Sequence, residues 1–349
     1  MVKQRKAVAL ISGGLDSLLA AKVVQEQGVH VEGINFFTGF CVEGHTHAIR
    51  NTSDEKKAKK RNNALWTAEQ LGIKLHIIDI IEPYKDVVLN PKYGYGANLN
   101  PCLDCKIFMV KKAHEWIVEN DFDFIITGEV MGQRPKSQRK ETLPVVQKKS
   151  GVNDLLLRPL CAQHLPETLP EREGWVNREE MLALHGRNRK PQIQMAKDKG
   201  FEDFAQPAGG CCFLTDAAYS SKLQDMWDNR PDRDYTLDDI VLLKVGRHLR
   251  PKPHFKMIIA RDGGETRYLD GYRKQFKHLI VRSHSGPMTL IEGEVNEDDI
   301  ELAAQIVGRY SKGRDAAQLE FDYVDKKASP VKLYVKALTP NEFSEKWAI

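Results

Sequence analysis

The sequence predicts an α/β protein: a doubly wound parallel sheet, then a small middle region, then a C-terminal α+β domain. Short apolar runs alternate with helix-length amphipathic segments over roughly the first 160 residues, which is typical of parallel sheets. A glycine turn joins the first apolar run to the first helix. From about Leu237 onward the pattern changes to β-type runs separated by turns, which indicates a separate domain.

The predicted elements can be given in chain order. Residues 6–11 (KAVALI) form the first strand, and the helical spacing after it ends at Gly28. Further strands of the same sheet are predicted at 29–37, 74–81 and 122–127, and helices at 54–71 and 107–120. The apolar segment 155–160 is assigned to the same domain. In the last part, strands are predicted at 254–260, 278–281 and 331–335, with a turn at 262–264 between them.

Length and composition predict three parts. A chain of 349 residues exceeds what one core usually spans. We divide it into residues 1–170, a nucleotide-binding domain, 171–236, a helical and cysteine-bearing middle region, and 237–349, an RNA-binding α+β domain. The first boundary falls in the Pro/Glu-rich stretch 166–173. No apolar run approaches the roughly 18 residues of a membrane span, so we expect a cytoplasmic protein without a membrane partner.

Charge is distributed unevenly along the chain. The net charge is only +4, yet residues 244–282 contain eleven Lys and Arg against three Asp and Glu, a local net charge of +8. Within this segment, residues 272–278 (YRKQFKH) interleave aromatic with basic side chains. Basic groups neutralise phosphates and aromatic rings stack on unpaired bases, so the segment predicts an RNA-facing surface. A solvated charged face with half-buried aromatic rings is the alternative.

The glycine turn after the first strand predicts a phosphate-binding loop. Its residues are Ser12, Gly13, Gly14, Leu15, Asp16 and Ser17. The glycines allow a tight turn and close approach of a ligand, and the following helix presents unpaired N–H groups to phosphate. Asp16 can hold a Mg²⁺ bound between phosphates. The loop is neither a Walker A motif nor a G-x-G-x-x-G fingerprint, and a plain strand-to-helix turn is the alternative.

Two further segments are placed at the same edge of the sheet. Thr127–Gly128–Glu129 follows the fourth strand, and we expect Gly128 to line the nucleotide site. The basic loop at 132–140 is predicted to be flexible and to close on triphosphate or on RNA backbone. A second basic cluster stands at 186–190 (GRNRK) in the middle region.

Four of the six cysteines require an explanation. Cys102 and Cys105 are spaced C-x-x-C just before the helix predicted at 107, and Cys211 and Cys212 are adjacent. Cys41 and Cys161 are isolated in the sequence and are interpreted as small buried hydrophobes. Thiols near a helix N-terminus favour the thiolate form, which suits a nucleophile or a metal ligand.

The cysteine spacing leaves several chemistries open. Alone, the C-x-x-C could be a redox pair, a zinc half-site, a cluster half-site or an incidental spacing of buried thiols. With a third thiol from the 211–212 turn, three ligands leave a fourth position open. Such a position suits a [4Fe–4S] cluster better than structural zinc. We choose Cys102, Cys105 and Cys211 as ligands, with Cys212 as the alternative to Cys211.

The Ser12–Ser17 motif resembles the loop of the PP-loop ATP pyrophosphatase family, and the resemblance covers roughly residues 5–165. It implies cleavage of ATP between the α and β phosphates, adenylation of a carbonyl oxygen, and displacement of AMP by a nitrogen or sulfur nucleophile. The implied nucleotide-site residues are Ser12–Ser17 and Gly128, with Mg²⁺ at Asp16. The motif alone does not separate thiolation enzymes from amide-forming or lysidine synthetases.

The cysteines narrow the resemblance to tRNA thiouridylases. C-x-x-C plus one later cysteine resembles cluster-dependent members, including relatives of 4-thiouridine synthase. The segment from Asn100 instead resembles the NP-x-x-x-C region of 2-thiouridylases, which implies a persulfide pair, Cys105 with Cys211. The end of the chain, about 240–340, loosely resembles the RNA-binding domain of NFACT-type proteins.

These resemblances imply an ATP-dependent tRNA sulfurtransferase with Asp16, Cys105 and Cys211 in catalytic roles. Its sulfur would come from sulfide or from a cysteine desulfurase or carrier. Whether the protein forms a homodimer stays open. The position of the uridine, and thiolation at C2 or C4, also stay open. Two alternatives are an ammonia-using synthetase acting on a small substrate and a non-catalytic nucleotide-sensing RNA-binding protein.

Overall fold

The structure is a computed structural model that describes residues 4–41, 62–201, 203–204 and 212–349. The described residues form two compact units, which divide between Thr215 and Asp216. The described residues between 171 and 215 therefore pack with the first unit, and residues 216–236 pack with the second. The predicted division into 1–170, 171–236 and 237–349 separates parts by their expected function, and it stays a prediction.

The first unit contains a parallel sheet flanked by helices. Its strands are β1 (Lys6–Leu10), β2 (His30–Phe37), β3 (Leu75–Asp79), β4 (Phe124–Ile126) and β5 (Leu156–Leu157). Its helices are α1 (Leu15–Gln25), α2 (Asn63–Leu71), α3 (Ile81–Leu89), α4 (Cys102–Glu119), α5 (Thr142–Ser150), α6 (Leu169–Arg172) and α7 (Lys190–Asp198). The strand order is β3-β2-β1-β4-β5, and all pairs are parallel. The doubly wound α/β prediction is confirmed.

The strand order creates a switch point beside β1. The chain moves from β1 to β2 on one side and returns to place β4 on the other, with Ala9 paired to both Gly33 and Ile126. The loops that follow β1 and β4 therefore leave the same edge of the sheet next to each other. Open α/β sheets bind ligands at such a point.

Two predicted boundaries in this unit are wrong. The strand predicted at 74–81 ends at Asp79, and the unpredicted helix α3 starts at Ile81, where the Asp79 side chain accepts from Ile81 N at 2.9 Å. The helix predicted at 107–120 begins five residues earlier, at Cys102. The first-turn carboxylate of Asp104 favours this start, since an acidic side chain complements the positive end of the helix dipole.

The second unit is an antiparallel sheet with helices on both faces. Its helices are α8 (Ala217–Asp228), α9 (Leu237–Leu242), α10 (Gly263–Asp270) and α11 (Glu297–Gly308). Its strands are β6 (Arg247–Lys252), β7 (Phe255–Ile259), β8 (Lys277–Val281), β9 (Thr289–Gly293), β10 (Leu319–Val324) and β11 (Val331–Val335). The sheet order is β11-β10-β8-β9-β7-β6. The prediction of a C-terminal α+β domain is confirmed.

Each face of this sheet has its own core. Ala303 and Val307 of α11 pack in one cluster with Phe321, while Leu242 of α9 and Leu269 of α10 pack in the other. The turn predicted at 262–264 is wrong because it begins α10. The Asp262 side chain accepts from two backbone N–H groups of the first helical turn and so caps the helix despite the two glycines that follow.

Among the described residues, no helix is both long enough and apolar enough to cross a membrane.

Candidate functional site

The loop between β1 and α1 is held in shape by its own hydroxyls and by one glycine. Ser17 Oγ donates to Gly14 O at 2.8 Å and lies 3.3 Å from Ser12 N, which donates to it. Gly13 has φ +75°, and a Cβ there would lie 2.7 Å from the Cβ of Asn63 at the start of α2. Gly13 is therefore required by both its conformation and its packing.

The two other glycines of the site differ from each other. A Cβ on Gly128 would lie 2.5 Å from the backbone carbon of Asp16, so the loop after β4 packs directly on the start of α1. Gly14 is extended (φ −87°, ψ 156°), and a Cβ there would only reach Ser12 Oγ at 3.5 Å. The protein's own packing thus requires a glycine at 128 but not at 14. Leu15 is buried in the core, so only its backbone can face a ligand.

Asp16 stands at the centre of a polar cluster at the switch point. Gln133 Nε2 donates to Asp16 Oδ2 at 2.6 Å, and an Arg189 guanidinium nitrogen lies 3.4 Å from the same oxygen. Gln192 Nε2 in turn donates to Gln133 Oε1 at 3.1 Å. The other carboxylate oxygen, Asp16 Oδ1, is buried and has no hydrogen-bond partner among the described residues. Carboxylate oxygens are ligands that Mg²⁺ takes together with phosphate, so Asp16 fits the ion predicted here.

A buried ion pair supports the loop after β4. Arg158 Nε and Thr127 Oγ1 both donate to Glu129 Oε2, at 3.0 and 2.9 Å. Burial raises the pKa of Glu129, but the charges of Lys106 and Arg158 and these hydrogen bonds outweigh it, so the pKa lies below its ordinary value. Lys106 belongs to the first turns of α4, and its field therefore reaches the loop beside Gly128.

The loop at 132–140 makes hydrogen bonds within itself and to its neighbours, and its flexibility stays a prediction. Gly132 N donates to Gln138 O at 2.6 Å, and Ser137 and Gln138 are buried. Lys136 Nζ donates to Tyr95 O at 2.6 Å instead of pointing away from the protein. These bonds join the loop to its neighbours, while Pro135, Lys136, Arg139 and Lys140 stay exposed.

The same loop connects the Asp16 cluster to the first cysteine pair. Gln133 at one end bonds to Asp16, and Ser137 at the other accepts from Cys102 Sγ at 3.3 Å. Cys105 Sγ lies 3.9 Å from Met109 Sδ. Cys102 and Cys105 are three residues apart in the first turn of α4. The predicted nucleotide and sulfur residues thus lie on either side of one loop.

The second cysteine segment approaches the start of α4. Cys212 Sγ lies 3.9 Å from Asn100 Oδ1, and Asn98 Nδ2 donates to Thr215 O at 2.8 Å. Cys211, the predicted third ligand, lies outside the described residues. In the described chain, no group of three or more His, Cys, Asp or Glu side chains is placed to hold a metal. The fit of a cluster is therefore limited to the Cys102–Cys105 turn, whose two thiols suit it.

The two cysteines interpreted as hydrophobes differ in the structure. Cys161 is buried, donates to Glu129 O at 3.3 Å, and burial raises its pKa to about 11. This is the behaviour of an unreactive structural thiol. Cys41 is only half-buried, and its backbone pairs with that of Cys212.

The basic segment at 244–282 is largely neutralised by the rest of the second unit. At least seven of its eleven basic side chains lie within 4.0 Å of a carboxylate. Five of these carboxylates lie outside the segment: Asp225, Glu292, Glu294, Asp299 and Asp322. Tyr272 and Phe276 pack against a hydrophobic core, and Lys277 and His278 are buried. The aromatic-basic pattern at 272–278 is therefore mainly structural.

Several site residues were not identified from the sequence. Gln133, Arg189 and Gln192 surround Asp16, and Arg189 was signalled only as one member of the basic cluster at 186–190. The helix α7, which follows Arg189, packs on α1 through Ala196 in the shared core. No local pattern predicts this contact, because it depends on the packing of two helices far apart in the chain.

The fold and the Ser12–Ser17 loop define the class of the first unit as a doubly wound α/β domain with a glycine loop at its switch point. Residues 5–165 match the family described as "tRNA methyl transferase HUP domain". Residues 246–348 match the family described as "NFACT protein RNA binding domain". The first unit is thus similar to a HUP domain and the second to an RNA-binding domain, which agrees with the two resemblances predicted from the sequence.

Curated relatives show what the whole chain is similar to. It is 26% identical over 263 residues to the tRNA-specific 2-thiouridylase MnmA of Mesoplasma florum, covering 70% of this chain and 65% of that protein. It is 26% identical to the enzyme of the same name from Malacoplasma penetrans, over 74% and 69% of the two chains. A probable tRNA sulfurtransferase of Alkaliphilus oremlandii is 32% identical over 45% of this chain and 36% of that protein. The chain thus spans about two thirds of the first relatives and less of others.

Among solved structures, the crystal structure of a 4-thiouridine synthetase–RNA complex with bound ATP is 21% identical. It covers 60% of this chain and 45% of that one, with a TM-score of 0.40.

Proposed function

We propose that this protein is an ATP-dependent tRNA sulfurtransferase that makes thiouridine. The observation that carries the proposal is the loop after β4, whose Gln133 contacts Asp16 and whose Ser137 contacts Cys102. It joins a phosphate-binding loop to a pair of thiols, which is the combination that activation followed by sulfur transfer requires. The relatives named as 2-thiouridylases and as a sulfurtransferase support the same assignment.

In the proposed first half-reaction, a uridine carbonyl oxygen attacks the α-phosphate of ATP and pyrophosphate leaves. The backbone N–H groups of Ser12–Ser17 and the N-terminus of α1 would bind the phosphates. Asp16 would hold Mg²⁺ through its buried Oδ1, and Gly128 would keep the loop after β4 close to α1. Arg189, which pairs with Asp16, would turn to the departing pyrophosphate.

In the second half-reaction, a sulfur nucleophile attacks the adenylated carbon, and AMP leaves with the former carbonyl oxygen. A [4Fe–4S] cluster held by Cys102, Cys105 and Cys211 would supply an iron with an open position that can hold sulfide. In the alternative chemistry, Cys105 and Cys211 act as a persulfide pair without iron. The chain's own contribution in either case is to hold the thiols of Cys102 and Cys105 at the start of α4, beside the loop that contacts Asp16.

The substrate that we propose is tRNA, with the second unit as its RNA-binding part. The match of residues 246–348 to an RNA-binding family supports this role. The reacting uridine must be unpaired or flipped out, because base pairing hides its carbonyl edge. Sulfide, a cysteine desulfurase or a sulfur carrier would be the donor.

Pyrophosphate release and nucleoside mass spectrometry test the proposal together. We expect the purified protein to release pyrophosphate from ATP only with tRNA, and to form thiouridine only when a sulfur donor is added. Asp16→Asn should reduce both by at least about a hundredfold. The matched control is Asp198→Asn, an exposed carboxylate of α7 that should leave both unchanged.

Other outcomes would identify the alternatives. Pyrophosphate release with ammonia and a small substrate, independent of tRNA, would identify an amide-forming synthetase. ATP binding without any pyrophosphate release would identify a nucleotide-sensing RNA-binding protein. Iron content of anaerobically purified protein, compared with Cys102→Ala, separates the cluster from the persulfide pair. A colourless protein with full activity would exclude the cluster.

A further inference from the structure

Cys41, which the sequence leaves isolated, faces Cys212 across an antiparallel bridge. The segment after β2 carries Cys41, and the segment before Thr215 carries Cys212. Phe213 N donates to Phe40 O at 2.9 Å, which joins the residue after Cys212 to the residue before Cys41. A bond in this position flanks a non-hydrogen-bonded pair of an antiparallel ladder.

The geometry of such a pair suits a disulfide. Paired residues project their side chains from the same face of the ladder, and their Cα atoms are about 4.5 Å apart. Disulfides span Cα separations of about 4.4–6.8 Å, so the two cysteines can be joined without moving the backbone far. The structure has no disulfide among the cysteines that it describes.

The surroundings of the two thiols make them accessible to exchange. Both side chains are half-buried, in contrast to Cys161, which is fully buried and whose pKa is raised. Thr38 Oγ1 lies 3.4 Å from Cys41 Sγ. The attacking species in thiol–disulfide exchange is a thiolate, which a half-buried thiol can form in contact with solvent.

We propose that Cys41 and Cys212 are a dithiol–disulfide couple, a redox site separate from the Cys102–Cys105 turn. With a disulfide oxidant such as oxidised glutathione, one cysteine thiolate attacks the oxidant and releases one glutathione thiol. The second cysteine thiolate then attacks the mixed disulfide at the protein sulfur, and the second glutathione leaves as a thiol. The two cysteine protons and two electrons pass to the two glutathione molecules, and one Cys41–Cys212 bond forms.

The couple lies beside the thiols that the proposed function uses. Cys212 contacts Asn100, two residues before Cys102, and Cys212 is covalently next to Cys211. This consequence rests on the proposed function: a disulfide that fixes Cys212 on the segment after β2 would restrain the predicted sulfur ligand next to it. The oxidised protein should then adenylate tRNA and release pyrophosphate in one turnover, but form no thiouridine.

Disulfide mapping tests the couple without any activity. The full-length protein would be equilibrated at defined ratios of reduced to oxidised glutathione, alkylated, digested and analysed by mass spectrometry. We expect a Cys41–Cys212 cross-linked peptide whose fraction follows a two-electron dependence, while Cys161 stays reduced as an internal reference. Cys41→Ser should abolish that peptide and leave Cys212 open to alkylation or mixed disulfide.

Two results would overturn the couple: no Cys41–Cys212 peptide at any ratio, or preferential linkage of Cys41 to another cysteine such as Cys211. Thiouridine formation, measured on the same samples, separates this inference from the proposed function. A cross-link in a protein that never thiolates tRNA would leave the couple standing and refute the function. Thiolation by a protein that never forms the cross-link would support the function and refute the couple.

Discussion

At the scale of single residues, two glycines of the Ser12–Ser17 loop differ in what requires them. Packing requires Gly13, whereas only a ligand would require Gly14. Gly13 adopts a left-handed φ against the start of α2, whereas Gly14 is extended and has room for a methyl group. The sequence suggests the same role for both, because a conformation cannot be read from a glycine alone. If Gly14 leaves its space to the phosphates, its substitution should harm binding and not folding.

We therefore expect opposite results from two neighbouring substitutions. Gly13→Ala should lower the free energy of unfolding by more than about 2 kcal/mol, since it adds left-handed strain and a clash with Asn63. Gly14→Ala should change it by less than about 0.5 kcal/mol and yet weaken ATP binding at least about tenfold. Chemical denaturation and calorimetric titration measure the two effects. Normal ATP affinity in Gly14→Ala would show that no ligand approaches this backbone.

The Glu129–Arg158 pair gives a prediction with a defined pH dependence. The pKa of Glu129 is lowered in the folded protein. The ionised Glu129 therefore stabilises the fold above its unfolded pKa of about 4.3, and this stabilisation is lost as the pH falls through the folded pKa. Glu129→Gln should cost about 3–5 kcal/mol at pH 7, because it leaves the Arg158 charge buried and uncompensated.

Urea denaturation of wild type and Glu129→Gln at several pH values checks this. The difference in the free energy of unfolding between the two proteins should be constant near neutral pH and shrink below about pH 4. Glu119→Gln, at an exposed carboxylate of α4, is the control and should show no such difference. A difference that does not depend on pH would mean that shape, and not charge, is responsible.

At the scale of elements, the start of α4 decides where two thiols stand. The Asp104 carboxylate accepts from the backbone N–H groups of Lys92 and Tyr93, both at 3.0 Å, and so ties the preceding turn to the first turn of the helix. The sequence places the helix at 107 because apolar periodicity becomes visible only there. The actual start depends on these contacts between Asp104 and a segment about twelve residues away.

Asp104→Ala should loosen this junction. We expect a loss of about 1–3 kcal/mol, the range for hydrogen bonds to a charged group, and faster amide exchange at Lys92 and Tyr93. Glu115→Ala, which removes an exposed surface pair with Lys112 on the same helix, should cost less than about 1 kcal/mol. Hydrogen-exchange mass spectrometry and denaturation measure both variants. Unchanged exchange at Lys92 and Tyr93 in Asp104→Ala would contradict the role given to this carboxylate.

At the scale of the whole molecule, charge pairing decides how strongly the second unit can attract RNA. The sequence shows a segment of net charge +8, but carboxylates elsewhere in the unit lie against most of its basic groups. Such pairs contribute little to long-range attraction of a polyanion. Affinity for tRNA should therefore depend on the few basic side chains that remain exposed.

Lys274 and Lys252 provide a matched comparison. Lys274 is exposed and makes no salt bridge to the described residues, whereas Lys252 Nζ lies 2.6 Å from Asp299 Oδ1. In the full-length protein, Lys274→Gln should reduce the slope of log K for tRNA against log salt by about one. Lys252→Gln should leave the slope unchanged. Equal effects of the two substitutions would show that tertiary pairing does not screen this segment.

The sequence by itself determined the parallel sheet, the glycine loop between β1 and α1, and the C-terminal domain. These features depend on apolar periodicity and on glycines next to strand ends, which are local properties of the chain. It also placed Ser12–Ser17 and Gly128 at one edge, since successive parallel strands end there. It could not give the partners of Asp16, one of which, Gln133, is 117 positions away. Only tertiary structure decided that contact, the neutralisation of the basic segment and the pairing of Cys41 with Cys212, because each depends on packing between distant segments.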